Sequence, residues 1–364
     1  MNFALCAAPD TRACVRTIII ILAMAVSAAG ADKFLGWQSC STTGCHGGGS
    51  GDDQVLTWQK LDRHSRAYGT LISERSKRIA DALKIAEPAK SAQCTVCHSP
   101  MESAAPERIA KNLKAPNHGV SCEACHGPAE NYLRFHTRPD VTAAQRVAAG
   151  LRDLDSSHAR ANSCVGCHGN IGAELLTAGH PTLRFELARQ LVEMPPHWKD
   201  FDQQQSAQAW LVSQAVLLRE LCWQAAKNPG TARRIEALHW ILRESADGAA
   251  HLPPTVEPGP LRTSADTLAK AASAVKWNTA KTRAQFDRTA ALASQVKDAA
   301  AFSRAEALVP ALRALTLGLG KDAAAKAKTQ LIALDLAIRS PATFDAQKFA
   351  GAVADLASVV ATRP

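Results

Sequence analysis

Eight cysteines of this 364-residue chain stand in four pairs, and a histidine follows the second cysteine of each pair. Three pairs have a two-residue spacer: Cys94-Thr95-Val96-Cys97-His98, Cys122-Glu123-Ala124-Cys125-His126 and Cys164-Val165-Gly166-Cys167-His168. The remaining one, Cys40 to Cys45 with His46, has four residues between its cysteines. Two thiols about one helical turn apart can reach both vinyl groups of one porphyrin and form thioethers. The next residue then lies under the ring, where its imidazole can bind iron. The wider spacer keeps that reach if its extra residues bulge, which Thr42, Thr43 and Gly44 permit. Disulfides would need no histidine after every second cysteine, and zinc would need further ligands at regular spacing for each pair. The pattern therefore implies four covalently bound haem c groups. They would be held by Cys40, Cys45, Cys94, Cys97, Cys122, Cys125, Cys164 and Cys167, with His46, His98, His126 and His168 as proximal iron ligands.

Each iron would keep one further position. Methionine there raises the reduction potential, whereas a second imidazole keeps it low. Beyond the N-terminal leader the chain has only Met101 and Met194, and Met101 follows His98 too closely to reach round the same ring. Histidine is abundant instead, so bis-histidine ligation is expected, with His64, His136, His180 and His118 as the distal candidates. His118 and His158 sit four and six residues ahead of a motif and can reach only a neighbour's iron; His197 is a further candidate. His239 and His251 fall in the C-terminal half and are read as non-ligands.

The elements that must position these residues read as mainly α. Ser65 to Ile85 and Ala143 to Leu154 are amphipathic at helical spacing, with Gly- and Pro-marked turns between and no run of alternating strand pattern. Aromatic residues make up only 5% of the chain, with two tyrosines, as expected if porphyrin supplies the core. From about Phe201 the composition turns to alanine-rich helix: one segment ends at Asn228-Pro229-Gly230 and Thr231 can cap the next. A linker carrying Pro253, Pro254, Pro258 and Pro260 precedes about five more helical segments, punctuated by Asn278, Leu319-Gly320 and Ser340-Pro341. No attachment motif, nucleotide loop or acid–base pair lies there, and Cys222 reads as a small core residue. The fold class is thus a haem-cored multihaem cytochrome domain with few strands, at 32–198, followed by an all-α helical bundle at 199–364.

The first 31 residues read as a cleaved secretory signal: Arg12 and Arg16, an apolar run, then Ala29-Gly30-Ala31. The run is shorter than the roughly 20 residues a membrane helix needs, so the expected location is the periplasm. The formal charge of +9 is thinly spread, with no basic tract, which argues against nucleic-acid binding. The expected partners are periplasmic or membrane-bound redox proteins. The helical bundle would pack on the cytochrome part or dock a partner subunit.

The stretch from Cys40 to His180 resembles the cytochrome c-554 family of tetrahaem cytochromes. The resemblance rests on the four ordered motifs and on Asp62-Arg63-His64-Ser65-Arg66-Ala67 after the first. It also rests on Gly119-Val120-Ser121-Cys122-Glu123-Ala124-Cys125-His126-Gly127-Pro128, with His136 ten residues beyond His126. It implies a mostly helical fold wrapped round stacked haem pairs. It further implies His136 as sixth ligand at the first motif, His180 at the third and His64 at the fourth. The second motif, with His98, is the one that can be five-coordinate in the family; here His118 can fill its open face. The leading expectation is an electron carrier. The alternative is a haem enzyme acting at an open second site on a small nitrogen compound such as nitric oxide. No motif replaces its histidine with lysine as pentahaem nitrite reductases do, and Tyr68 and Tyr132 do not sit in the pattern of a tyrosine-crosslinked haem.

Overall fold

Short helices joined by tight turns make up the first half of the molecule. The computed structural model describes residues 32–49, 51–111, 113, 119–195, 202–245 and 250–361; residues 1–31, where a secretory signal is expected, His118 and His197 lie outside them. The helices run α1 Gln54–Leu61, α2 Ala67–Thr70, α3 Glu74–Ala82, α4 Ala92–His98, α5 Cys122–His126, α6 Ala143–Ala148, α7 Ser157–His168, α8 Ala173–Thr177 and α9 Leu187–Glu193. The expected helical stretch 65–85 is split because Ser73 adopts extended backbone and its side chain accepts from the Ser76 N–H, capping α3. Thr142 and Gln145 form a reciprocal capping box at α6. Among the described residues the only β pairing is an isolated parallel bridge between Phe34 and Ile109.

Helices this short do not hold together alone, and side chains give them little to pack on. The buried hydrophobic residues from 32 to 154 are few and scattered, among them Val55, Trp58, Leu71, Met101, Tyr132 and Leu154.

The second half is the reverse. It comprises α10 Ser206–Gln224, α11 Ala232–Ser245, α12 Pro258–Ser273, α13 Thr279–Ala291, α14 Ala301–Gly318, α15 Lys321–Lys326, α16 Lys328–Ala337 and α17 Ala346–Ala361. Helix α10 is buried on every side from Ser206 to Leu218 and forms the axis of the bundle. Its neighbours include α7, α9, α11, α12 and α14. The Asn278 side chain accepts from the Lys281 N–H at the start of α13. One local expectation changes. Pro258 and Pro260 lie in the first turn of α12 rather than in a linker, because a first-turn residue has no intrahelical partner for its N–H. Thr231 precedes α11, and its hydroxyl donates to the Asn228 carbonyl.

One continuous core runs from Ala161 and Val165 of α7, through Phe185 and Leu187, to Val360 of α17, and it takes in Cys222. Helix α7, which carries the fourth attachment motif, is therefore shared by both halves. No helix among the described residues is long and apolar enough to cross a membrane.

Candidate functional site

Three attachment motifs lie on helices: Cys94 to His98 on α4, Cys122 to His126 on α5, and Cys164 to His168 at the end of α7. Helical backbone puts both thiols of a two-residue spacer on one side, with the histidine beneath. The four-residue spacer folds differently. Cys40 ends a 3-10 turn, the Cys45 N–H donates to Thr42 O, and the His46 N–H donates to Cys40 O at 3.1 Å. The loop closes on itself at Gly47 and Gly48, where an added Cβ would fall 1.9 Å from Ser41 O and 2.3 Å from Thr43 O respectively. Those glycines let the bulge turn back.

The histidines of these motifs meet histidines from far along the chain. His46 faces His136 with ring centroids 6.2 Å apart and planes at 15°. His64 faces His168 at 6.1 Å and 77°, and His98 faces His180 at 6.2 Å and 69°. With metal–imidazole bonds of about 2 Å on each side and each ring centre roughly 1.2 Å behind its nitrogen, two imidazoles sharing one iron put their centroids about 6 Å apart. The residues present thus fit a bis-histidine haem at each of the three pairs. A cavity of about 280 Å³ opens beside His168, between Ile171, Leu176, Leu183 and Arg234. Among the described residues no three His, Cys, Asp or Glu side chains converge as a metal-ion cage.

Five of the six rings set Nδ1 against an oxygen, which leaves Nε2 for a metal, while His168 sets Nδ1 against the Gln190 side-chain amide nitrogen. His46 pairs with Gln54 Oε1 at 3.1 Å, His136 with Tyr132 O at 2.9 Å and His180 with Pro181 O at 2.9 Å. His98 has both Ala67 O at 3.1 Å and Thr70 Oγ1 at 2.9 Å. His64 pairs with Asp62 Oδ1 at 3.0 Å, and His168 with the Gln190 side-chain amide at 3.3 Å. Burial pushes His168 down to about 4, with His64 nearby adding to the effect. Burial also lowers His98, against the Ala67 carbonyl that raises it. Both shifts favour the neutral imidazole, the form that ligates iron.

The motif cysteines are free thiols here and stand in for thioether sulfurs. The thiols of Cys40 and Cys122 lie close enough to shift each other's titration, as do those of Cys97 and Cys167. Cys125 lies close enough to Cys164 for its charge to be felt there. The motifs therefore adjoin in the order first, third, fourth, second.

His180 is not where the family resemblance implies. It meets His98 of the second motif rather than His126 of the third, because the Arg75 guanidinium at the start of α3 donates to Gly179 O at 2.9 Å and pins the His180 loop beside α4. His180 thus lies across from His98, on the face that the resemblance leaves open or gives to His118, which is outside the described residues. His158 does not meet a motif histidine among the contacts described; it lies near Asn162 and Asp266, at 3.1 and 3.6 Å. His239 is held by Pro253 O.

Sequence reasoning gave no role to Glu123, although it sits in the most distinctive motif. It is buried, and its carboxylate accepts from the backbone N–H groups of Leu35, Gly36 and Ala129 at 2.7–2.9 Å. The first glycine of that motif is also explained. At Gly119, φ is +57° and an added Cβ would lie 2.6 Å from His64 O, while the Val120 N–H donates to that same carbonyl at 2.9 Å. An acid between two attachment cysteines was the available signal.

Residues 39–127 match the family model described as cytochrome c554 and c-prime, a span holding the first three motifs. No curated protein and no solved structure matches the chain. Residues 39–127 are therefore a domain of the cytochrome c554 family, which makes this part of a mainly α-helical chain a multihaem c-type cytochrome with covalently bound haem c.

Proposed function

We propose that this protein is an exported tetrahaem cytochrome that carries electrons between periplasmic or membrane-bound redox partners through mostly bis-histidine haems. The observation that carries this reading is the set of three histidine pairs, each spaced as two ligands of one iron would be. Bound haem supplies a one-electron couple at each site. The chain's own part is to hold both axial imidazoles in place, so that a change of charge requires little movement. The residues do this through Nδ1 hydrogen bonds to fixed acceptors such as Tyr132 O, Pro181 O and Ala67 O. The adjoining thiols support a path in the order His46, His126, His168, His98, with the first and second motifs at its ends.

The alternative, small-molecule chemistry at an open second site, loses its main support because His180 lies across from His98. Both readings separate in one experiment. Mature protein from a host that attaches c-type haem should carry four haems per chain by mass and by pyridine haemochrome absorbance. Its ferric spectrum should be low-spin, and its reduced form should not bind carbon monoxide. A colourless product ends the cytochrome reading for this chain; a high-spin fraction that binds carbon monoxide favours the enzyme.

A further inference from the structure

Among the six rings of the three described pairs, five place Nδ1 against a neutral group: a carbonyl, a hydroxyl or a side-chain amide. His64 alone among them places it against a carboxylate, Asp62 Oδ1, at 3.0 Å. The geometry is fixed locally. Asp62 adopts extended backbone before the turn Arg63–Arg66, and the same Oδ1 accepts the His64 backbone N–H at 2.9 Å. The carboxylate is largely shielded, its side chain 13% exposed, so water screens it weakly. On the far side, His64 is anchored by its carbonyl, which accepts the Val120 N–H.

A carboxylate 3.0 Å from the ring Nδ1 leaves more electron density on the opposite nitrogen than a neutral partner does, which makes that nitrogen a stronger donor to ferric than to ferrous iron. We propose that Asp62 is a positioning residue that sets a potential: through His64 it makes the His64–His168 site the lowest-potential of the three described sites. This rests on the tetrahaem reading above. With the motifs in the order first, third, fourth, second, that site is internal. Asp62 thus builds an energetic step into the middle of the path rather than at an end. Its charge also reaches Cys125 of the adjoining third motif.

The test uses full-length mature protein and Asp62→Asn, which keeps an oxygen for the His64 N–H and removes the charge. Haem count and low-spin EPR signals are recorded first: if wild-type protein lacks four haems or its low-spin signals, the tetrahaem reading fails, independently of Asp62. The His64–His168 site is identified as the signal that turns high-spin in His64→Ala. In an EPR-monitored redox titration, Asp62→Asn should shift the reduction equilibrium of that signal toward ferrous by about tenfold, or about 59 mV for one electron. The signals of the His46–His136 and His98–His180 sites should move less. A wild-type titration alone also decides the matter if the variant fails to mature, because the same signal must then have the lowest midpoint of the three. An unmoved signal in Asp62→Asn, an equal shift at all sites, or a different lowest site in the wild type would overturn the proposal.

Discussion

Two buried carboxylates show how single residues hold this molecule together. Glu123 takes three backbone N–H groups that have no strand or helix partner, and so joins the segment at Leu35 and Gly36 to the turn after His126. An unmet buried donor costs roughly 1–3 kcal/mol, so Glu123→Ala should lose about 3 kcal/mol or more in denaturant melts. Glu123→Gln, which keeps one acceptor oxygen, should lose less. Glu186 caps α9, accepting from the N–H groups of Ala188 and Arg189. Burial nevertheless pushes its carboxyl up from the ordinary 4.5 to about 7, against the pull of those amides and of Arg313 and Arg189. The folded state therefore binds this proton more tightly than the unfolded chain does. The contribution is present in full below pH 4.5 and is lost as pH rises through about 7, a swing of about 3 kcal/mol. Denaturation at pH 5 and pH 8 should show that loss in the wild type and a smaller one in Glu186→Gln.

At the scale of elements, α7 and α10 form the joint on which the fourth motif depends. Gly169 follows His168, and an added Cβ there would come within 2.7 Å of Val165 Cγ2 and 3.0 Å of Leu217 Cδ1, so the two helices meet with no room to spare. Arg219 of α10 bonds to Asn162 of α7 at 2.6 Å and to Asp266 of α12 at 2.7 Å, tying three helices through one guanidinium. Beneath that network Leu218 is fully buried. Leu218→Ala should cost about 2–5 kcal/mol by the usual sum of lost transfer energy and residual cavity, read as a lower midpoint in thermal or urea unfolding. Among the described residues the first-half helices have no comparable joint. Their stability should depend far more on haem attachment than on any one apolar side chain.

For the whole molecule, the division of labour follows from where apolar surface is buried. The helical half has a continuous hydrocarbon core, and α7 and α9 lend it Ala161, Val165, Leu187 and Leu191. A chain ending at residue 195 would bare those residues and lose the α10 wall behind His168. It should accumulate poorly, or mature with the His64–His168 low-spin signal weakened while the His46–His136 signal persists. An intact EPR spectrum from the truncated chain would show that the two halves are independent.

The expected attachment cysteines and the histidine after each are a local pattern, because a thioether pair and its proximal ligand would lie within one turn or one loop. The all-helical second half was legible for a related reason: its stops and caps, such as Asn228-Pro229-Gly230 after α10 and Asn278 before α13, are local signals. Counting histidines named His64, His136 and His180 as candidates but could not assign partners. His64 and His168 lie about a hundred residues apart, and their meeting depends on docked segments: the close pass of Gly119 over His64, the Arg75 bond that steers His180 to His98, and α10 behind α7. Bonds between distant segments leave no periodic trace in a sequence, so which imidazole faces which, and which of them leans on a carboxylate, was decided only by the folded chain.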